Sequence, residues 1–268
     1  MKIKSYLSSV VIGSIFAFGA IASGTVLAAS AEEKGFEISK EAKVRDSGWG
    51  DSQASMRMLL RNAQGEEDIR DIRIKSFEVK GDGDKSLTVF DQPRDVKGTA
   101  FLSFSHALEA DEQWLYLPSL KRVKRISSRN KSGPFMGSEF AFEDLSSFEL
   151  EKYTYNFLKE ESCDLGNCFV VEQFPVDKRS GYKRRVVWVD DKEYRISKVN
   201  FYDRKDSLLK TLVFSEYNQY QDKFWRAHKQ EMTNHQNGKS TVLEMSGISF
   251  STGLTENDFN QNSLKRAR

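Results

Sequence analysis

Hydrophobic and polar residues alternate along most of the chain, which is the pattern of β-strands that bury one face. The alternation is clear over residues 54–60 and 72–77. Strand-like runs recur at 87–90, 101–105, 114–117, 148–158, 169–174, 184–189, 195–202, 208–217, 224–232 and 240–250. Asn237-Gly238, between the last two runs, is a strong hairpin signal. Strands of this number and spacing predict an antiparallel meander that curls into a barrel or sandwich.

One stretch near the start has a helical period instead. Phe36, Ile38, Ala42 and Val44 roughly share one face of a helix over 32–45, and Gly48-Trp49-Gly50 ends it. We therefore predict a mainly β protein, a curled antiparallel sheet with one or two helices packed against it.

Residues 1–28 have the features of a secretory signal peptide. Lys2 and Lys4 precede an apolar run over 10–22, and small residues at cleavage spacing follow at 26–28 and 29–31. A retained membrane anchor is the alternative, but the run is short for a span. We expect cleavage after 28, or as late as 31. Residues 29–268 are then expected to form a single domain, long enough to bury a substantial core.

Charge and motifs narrow the range of functions. The chain has 41 basic and 39 acidic residues, and removal of Lys2 and Lys4 would leave 39 of each. Such a balance gives no general attraction for nucleic acid. The sequence has no nucleophile elbow, phosphate-binding loop or dinucleotide fingerprint, and its three histidines lack metal-ligand spacing. We expect no cofactor, no metal and no enzymatic activity.

The two cysteines predict a disulfide. Cys163 and Cys168 flank a turn sequence between two strand-like runs, so they can close a hairpin. Exported chains oxidise such pairs. A metal site would need further ligands nearby, and a catalytic redox pair usually has two residues between its cysteines.

The least generic stretch runs from Trp114 to Leu145. It opens with an apolar run that stops at Pro118, which cannot donate to a sheet ladder. It continues with a basic run made of Lys121, Arg122, Lys124, Arg125, Arg129 and Lys131. Gly133 and Gly137 then bracket an apolar loop, and Ser138 can cap a helical turn over 139–144. This combination suits a ligand that is partly apolar and partly anionic.

The apolar side chains of this stretch have two interpretations. Most of them would simply belong to a core. The tip Phe135-Met136 is expected to be mobile, because glycine on both sides permits unusual backbone states, and an exposed apolar tip needs a ligand, membrane or partner. The candidate ligand-binding residues are Trp114, Tyr116, Leu117, Phe135, Met136 and Phe140, with Gly133 and Gly137 as loop hinges.

The basic run also has two interpretations. If it continues the sheet, Arg125 shares a face with Lys121 and Val123, while Arg122 and Lys124 share the other face with Ile126. It is then either a solvated strand and loop or a rim that contacts a partner or an anionic headgroup. The rim residues would be Arg122, Arg125, Arg129 and Lys131. A second basic run is better interpreted as a solvated hairpin: Lys178, Arg179, Lys183, Arg184 and Arg185.

The acids of the same stretch offer a weaker hypothesis. Glu139 and Glu143 are four residues apart and would share a face of a helical turn. A carboxylate pair could perform acid–base chemistry in a hydrolase. A solvated, N-terminally charged turn is the simpler interpretation, and we favour it.

Four blocks within 114–145 resemble the signature of a known family. WLYLP, KR-x-x-RI, FMGSEF and EDL look like those of outer-membrane lipoprotein-sorting proteins, the LolA/LolB-like carriers. More closely, they resemble the branch found beside large export pumps of the resistance-nodulation-division type. The resemblance extends from about Phe36 to Phe259. It implies a half-open antiparallel β-barrel with helices over its apolar inside, which holds acyl chains.

The resemblance and the predicted export favour a non-enzymatic carrier in the periplasm. It would bind the acyl part of a lipid or lipoprotein, as a monomer, and act with an inner-membrane exporter of the resistance-nodulation-division type in outer-membrane trafficking. The alternative is a periplasmic accessory subunit that docks on a pump through the basic rim and holds no cargo. A carrier needs an apolar cavity open to solvent, whereas a docking subunit can have a filled core.

Overall fold

The computed structural model describes residue 1, residues 29–127 and residues 129–266. The predicted signal peptide therefore lies, except for Met1, outside the described residues. Among the residues that are described, no helix is both long and apolar enough to cross a membrane.

The described part of the chain forms one antiparallel sheet of thirteen strands. The first six strands are β1 (Asp51–Arg61), β2 (Glu67–Phe77), β3 (Lys85–Gln92), β4 (Ala100–Phe104), β5 (Glu112–Leu117) and β6 (Arg122–Ile126). The other seven are β7 (Tyr153–Cys163), β8 (Gly166–Pro175), β9 (Tyr182–Asp190), β10 (Ile196–Asp203), β11 (Leu208–Tyr220), β12 (Phe224–Asn234) and β13 (Ser240–Phe250).

The sheet consists of two meanders, β1–β6 and β7–β13, joined where β1 pairs with β13. Strands β6 and β7 are at opposite edges, and no pairing between them closes the sheet. The predicted curled antiparallel sheet, open along one side, is thus confirmed.

Strand alternation divides the apolar residues between two faces of the sheet. The main core lies on the inner face and includes Met58, Ile72, Phe90, Phe101, Val171, Val187 and Met232. Smaller clusters lie on the outer face, where Trp188 packs with Val170 and Val186.

Helix α1 (Ala31–Arg45) packs on the inner face over β7 and β8. It begins with a capping box, in which Ser30 Oγ accepts from the Glu33 N–H and Glu33 Oε2 accepts from the Ser30 N–H. Ile38 joins the main core. Gly35 allows a very close approach, since a Cβ there would lie 2.9 Å from the backbone nitrogen of Phe157.

The second helix, α2 (Gln261–Arg266), packs on the other face of the sheet. Its Leu264 is fully buried with Phe259 against the outer side of β3–β5. Of the two described α-helices, α1 is therefore the one that covers the inner face. At six residues, α2 is too short to show a helical period in the sequence.

The connection between the two sheet edges crosses the inner face, and we call residues 129–152 the strap. It contains three short 3₁₀ helices, Phe135–Gly137, Phe142–Leu145 and Leu150–Lys152. The predicted turn over 139–144 is displaced, because Asp144 Oδ2 accepts from the Ala141 N–H and starts the turn at Phe142. The strand predicted from 148 begins only at Tyr153, because residues 148–152 belong to the strap, which ends in the 3₁₀ helix Leu150–Lys152.

Candidate functional site

A cavity of about 1150 Å³ lies between α1, the strap and the inner face of the second meander. Its volume is slightly above the usual range for sites that bind small molecules. Strands β9 to β12 form its floor, and α1 contributes Ser39 and Ala42 to its wall.

The floor of the cavity is largely apolar. Inward-facing side chains from neighbouring strands make a continuous surface of Val187, Val189, Val199, Phe201, Leu212 and Phe214. They follow from alternation, since residues two apart on a strand share a face. Phe148 of the strap and Tyr153 at the start of β7 add a pair of stacked rings with centroids 5.8 Å apart.

Charged groups cluster around this apolar floor, and most are paired. Lys43 Nζ lies 3.1 Å from Glu149 Oε1, and Arg195 Nε lies 2.9 Å from Asp190 Oδ2. Burial raises the pKa of Asp177, but the Lys131 ammonium and hydrogen bonds from Arg179 outweigh it and hold that pKa at about 2.

A buried polar network holds the strap against the second meander. Lys210 Nζ lies 2.7 Å from Asp144 Oδ2, and both side chains are almost completely buried. Tyr182 donates its hydroxyl to the same carboxylate at 2.8 Å. Burial, reinforced by the Asp144 charge, raises the pKa of Tyr182 well above its usual value, so the phenol remains a donor.

The two acids considered for acid–base chemistry serve separate anchors of the strap. Glu143 accepts hydrogen bonds from Ser180 Oγ and the Gly181 N–H, each at 2.8 Å. Glu139 Oε2 accepts from Asn234 Nδ2 at 2.6 Å. Burial raises the pKa of Glu143, and Glu143 lines the cavity whereas Glu139 does not.

Two of the candidate ligand-binding residues lie on the face away from the cavity. Trp114 and Tyr116 pack with Phe259 and Leu264 in the outer cluster. The physical reason is strand alternation: β5 buries both faces, Trp114 and Tyr116 against α2 and Leu115 and Leu117 inwards. Because residues 114–117 are all apolar, the sequence pattern did not show which of them face the inner side of the sheet and which the outer side.

The other candidate ligand-binding residues lie on the inner face but under the first meander. Phe135 is 1% exposed and Phe140 3%. The Phe135 ring contacts Phe101 and Phe142, with centroid distances of 5.1 and 5.6 Å. Leu117, Phe135, Met136 and Phe140 all pack in the main core, and none of them lines the cavity.

The glycine-bracketed loop is therefore packed rather than exposed at its tip. Gly137 has φ +79° and Met136 φ +50°, so the backbone turns sharply where glycine was predicted to act as a hinge. Gly133 has an ordinary negative-φ conformation. Arg70 donates to the Met136 carbonyl, which adds a polar anchor to the buried tip.

The middle of the basic run, Arg122 to Arg125, lies in edge strand β6, in the register that alternation predicts. Arg125 opposes Trp114 on the outer face and pairs with Glu112, Nη2 to Oε1, at 2.7 Å. Arg122 and Arg129 are exposed. Lys131 pairs with Asp177 at 2.7 Å and is the one member of the proposed rim that lines the cavity.

Cys163 and Cys168 are bonded to each other, with Cα atoms 5.9 Å apart at the β7–β8 turn. They lie on the hairpin that the sequence indicated, away from the residues that line the cavity.

Sequence reasoning missed two cations of the second meander: Arg185, which lines the cavity, and Lys210, which holds the strap through Asp144. Arg185 was placed in a solvated hairpin, but the turn ends before Tyr182 and Arg185 lies within β9. Both Arg184-x-Val186 and Arg185-x-Val187 alternate with apolar residues, so the pattern alone did not distinguish the two faces.

Comparison with known sequences matches residues 82–266 to the model of a family described as an uncharacterized protein. No curated protein matches the chain. Among solved structures, a domain from Vibrio parahaemolyticus, provisionally described as an outer membrane lipoprotein-sorting protein domain, is 66% identical in sequence. That likeness covers 88% of this chain and 100% of the Vibrio chain, with a TM-score of 0.86.

Two further structures are similar over the same extent. A DUF1329 family protein from Desulfovibrio piger is 28% identical, with a TM-score of 0.83. A LolA superfamily protein from Nitrosomonas europaea is 20% identical, with a TM-score of 0.69. Each comparison covers 88% of this chain and 100% of the other. At 20% identity, the likeness to the LolA superfamily protein concerns the fold alone.

Proposed function

Because the chain belongs to the outer membrane lipoprotein-sorting protein family, we propose that it is a periplasmic carrier without enzymatic activity. The cavity under α1 would hold the acyl part of a lipid or lipoprotein. The observation that carries the proposal is a solvent-accessible cavity of about 1150 Å³ with an apolar floor.

Burial of apolar surface supplies the binding energy for such a cargo. Each methylene removed from water is worth about 0.8 kcal/mol, and part of the sum is lost to ordering of the chain. A floor of valine, leucine and phenylalanine side chains offers no directional polar contact, so it accepts acyl chains of different length and shape.

The location and the partner are proposed from the sequence. The predicted signal peptide at 1–28 supports export to the periplasm. The exporter of the resistance-nodulation-division type stays a prediction of the sequence resemblance, as does the monomeric state. We place the contact with such a partner at the exposed side chains of edge strand β6, which are Arg122, Lys124 and Arg125.

Filling the cavity tests the proposal. Val199 lies on the cavity floor, while the side chain of its neighbour Lys198 packs on Trp188 on the outer face. In protein 29–268 stripped of lipid, V199W should weaken binding of a fluorescent acyl probe at least tenfold, since the indole occupies the site. K198W should leave the affinity unchanged.

Equilibrium titration of probe fluorescence gives the affinities, and thermal unfolding confirms that both variants fold. If the wild-type protein binds no acyl probe saturably, the carrier function is rejected. The docking subunit without cargo would then be the better hypothesis.

A further inference from the structure

A row of side chains, all polar except Phe201, crosses the inner face of the second meander beside a fully apolar row. Cross-strand neighbours in this row are Gln173, Arg185, Phe201, Lys210 and Asn234. The adjacent row on the same face is Val171, Val187, Val199, Leu212 and Met232. Two cations, Arg185 and Lys210, therefore border the floor on either side of Phe201.

The two cations differ in what neutralises them. Lys210 has the buried carboxylate of Asp144 at 2.7 Å and the Glu139 carbonyl oxygen at 2.8 Å. Among the described residues, Arg185 has no carboxylate within ion-pair distance. A buried or half-buried charge normally requires a partner, so Arg185 is the exception in this row.

Uncharged groups hold the Arg185 side chain in a fixed position. Its Nε donates to Gln173 Oε1 at 2.6 Å, and Gln173 in turn donates to Ser39 Oγ of α1 at 3.3 Å. Its guanidinium carbon lies 4.0 Å from the centre of the Tyr153 ring and 5.3 Å from that of Phe148. Both Gln173 and Ser39 are only 3% exposed, so the support is rigid.

This arrangement leaves the outer edge of the guanidinium available. Among the described residues, none forms a hydrogen bond with its two terminal nitrogens. Both nitrogens are accessible to solvent, since neither is among the buried atoms that lack a partner. They therefore face the cavity that Arg185 lines. The two nitrogens form a fork that matches the oxygens of a carboxylate or phosphate.

Three carboxylates of the strap and of the β8–β9 turn have partners other than Arg185. Asp144 is neutralised by Lys210, Asp177 by Lys131, and Glu143 accepts from Ser180 and Gly181. Among the described residues, Lys178 and Lys223 also have no ion-pair partner, but both are exposed at the edge of the cavity.

We propose that Arg185 binds the anionic head of the cargo. The cavity would then select amphiphiles with a carboxylate or phosphate beside the acyl chain. The head would bind at the guanidinium, and the acyl chain would lie on the adjacent apolar row that includes Val187 and Val199. This inference rests on the proposed carrier function and names the chemical class of its cargo.

Matched amphiphiles with one acyl length test the proposal. The probes are dodecanoate, dodecyl phosphate and uncharged monododecanoylglycerol, titrated by calorimetry into lipid-free protein 29–268. Wild-type protein should bind at least one anionic probe about tenfold or more tightly than the uncharged one, because a hydrogen bond to a charged group is worth about that factor. The anionic probe that binds more tightly identifies the head as carboxylate or phosphate.

The variants assign the preference to one residue. R185Q should remove it, weakening the anionic probe about tenfold and leaving the uncharged one unchanged, while R185K should retain part of it because lysine lacks the fork. R184Q is the matched control: Arg184 pairs with Glu172 and Asp206 on the outer face, and both affinities should stay the same.

Equal binding of charged and uncharged probes by the wild-type protein would overturn the proposal and leave the carrier function intact. An equal loss for both kinds of probe in R185Q would also overturn it, since Arg185 would then act through packing. The absence of binding by every probe would reject both proposals. The wild-type preference needs no variant, so poor folding of R185Q does not leave the question open.

Discussion

The two halves of the inner face carry similar apolar strands but are covered in different ways. Under the first meander, which we call the filled half, strap rings occupy the space: Phe135 contacts Phe90, Phe101 and Phe142. Under the second meander, the open half, valine and leucine side chains face a cavity of about 1150 Å³.

The difference shows how one connection can both complete a core and leave a site. The strap places its large rings against β3 and β4, where Phe135 is almost completely buried. Over β9 to β11 it uses polar side chains, Glu143 and Asp144, which bind Ser180 and Lys210 at the margin rather than fill the middle. Apolar packing thus fixes the strap on one side, while hydrogen bonds hold it at a distance on the other.

The largest expected effect comes from emptying the filled half. F135A should lower the free energy of unfolding by about 3–5 kcal/mol, because it removes a fully buried ring and leaves a void. Urea denaturation of lipid-free protein measures the change.

The matched control is F214A, which removes the same ring from a partly exposed position on the cavity floor. Its cost should stay below about 2 kcal/mol, since less area is lost. Equal losses for the two variants would show that the halves are packed alike.

A smaller effect is expected where α1 meets the sheet beside the open half. Alanine normally favours a helix over glycine by about 0.5–1 kcal/mol. At Gly35, however, the new Cβ would lie 2.9 Å from the backbone nitrogen of Phe157, so G35A should instead destabilise the protein by about 1–3 kcal/mol. Thermal or urea unfolding decides the sign.

The exposed helix position Glu37 serves as the control, where E37A should change stability by no more than about 0.5 kcal/mol. G35A should also change the affinity for the acyl probe, because the new Cβ would push α1 away from β7 and so displace the cavity wall that α1 forms. If G35A instead raises the free energy of unfolding, α1 does not pack against the backbone of Phe157 this closely.

The smallest effect concerns pH and a carboxyl group at the cavity. Burial, helped by Glu149 and Glu78 and opposed by Lys43, raises the pKa of Asp84 to about 6. Since the folded pKa exceeds the ordinary value of 3.8, the folded state binds this proton more tightly than the unfolded state. Asp84 therefore destabilises the fold above pH 6, and the penalty fades as the pH falls toward 3.8.

D84N should accordingly stabilise the protein at pH 7.5 by about 1 kcal/mol, allowing for solvent screening, and by less at pH 4.5. D82N is the opposite control, because Asp82 accepts from the Ala107 N–H and pairs with His106, which hold its pKa at about 2 against burial. It should lose stability at pH 7.5. A constant D84N effect between the two pH values would contradict the assignment.

Local patterns predicted the strands, α1 and the hairpin cysteines, because each depends on residues close together in sequence. They did not predict which side of β5 carries Trp114, since both faces of that strand are buried. The cavity was out of reach for a related reason. Tyr182, Lys210 and Asp144 meet only because β9, β11 and the strap come together, and no short sequence spacing encodes that contact.

The way the two meanders join has a consequence for the order in which the protein folds. Strand β1 obtains its second neighbour only from β13, so Met56 must pair with Met245 across most of the chain. Contacts so distant in sequence slow folding and leave strand edges exposed meanwhile. Before β13 pairs with β1, the two meanders can exist as separate sheets. Neither half of the inner face then has its complete floor.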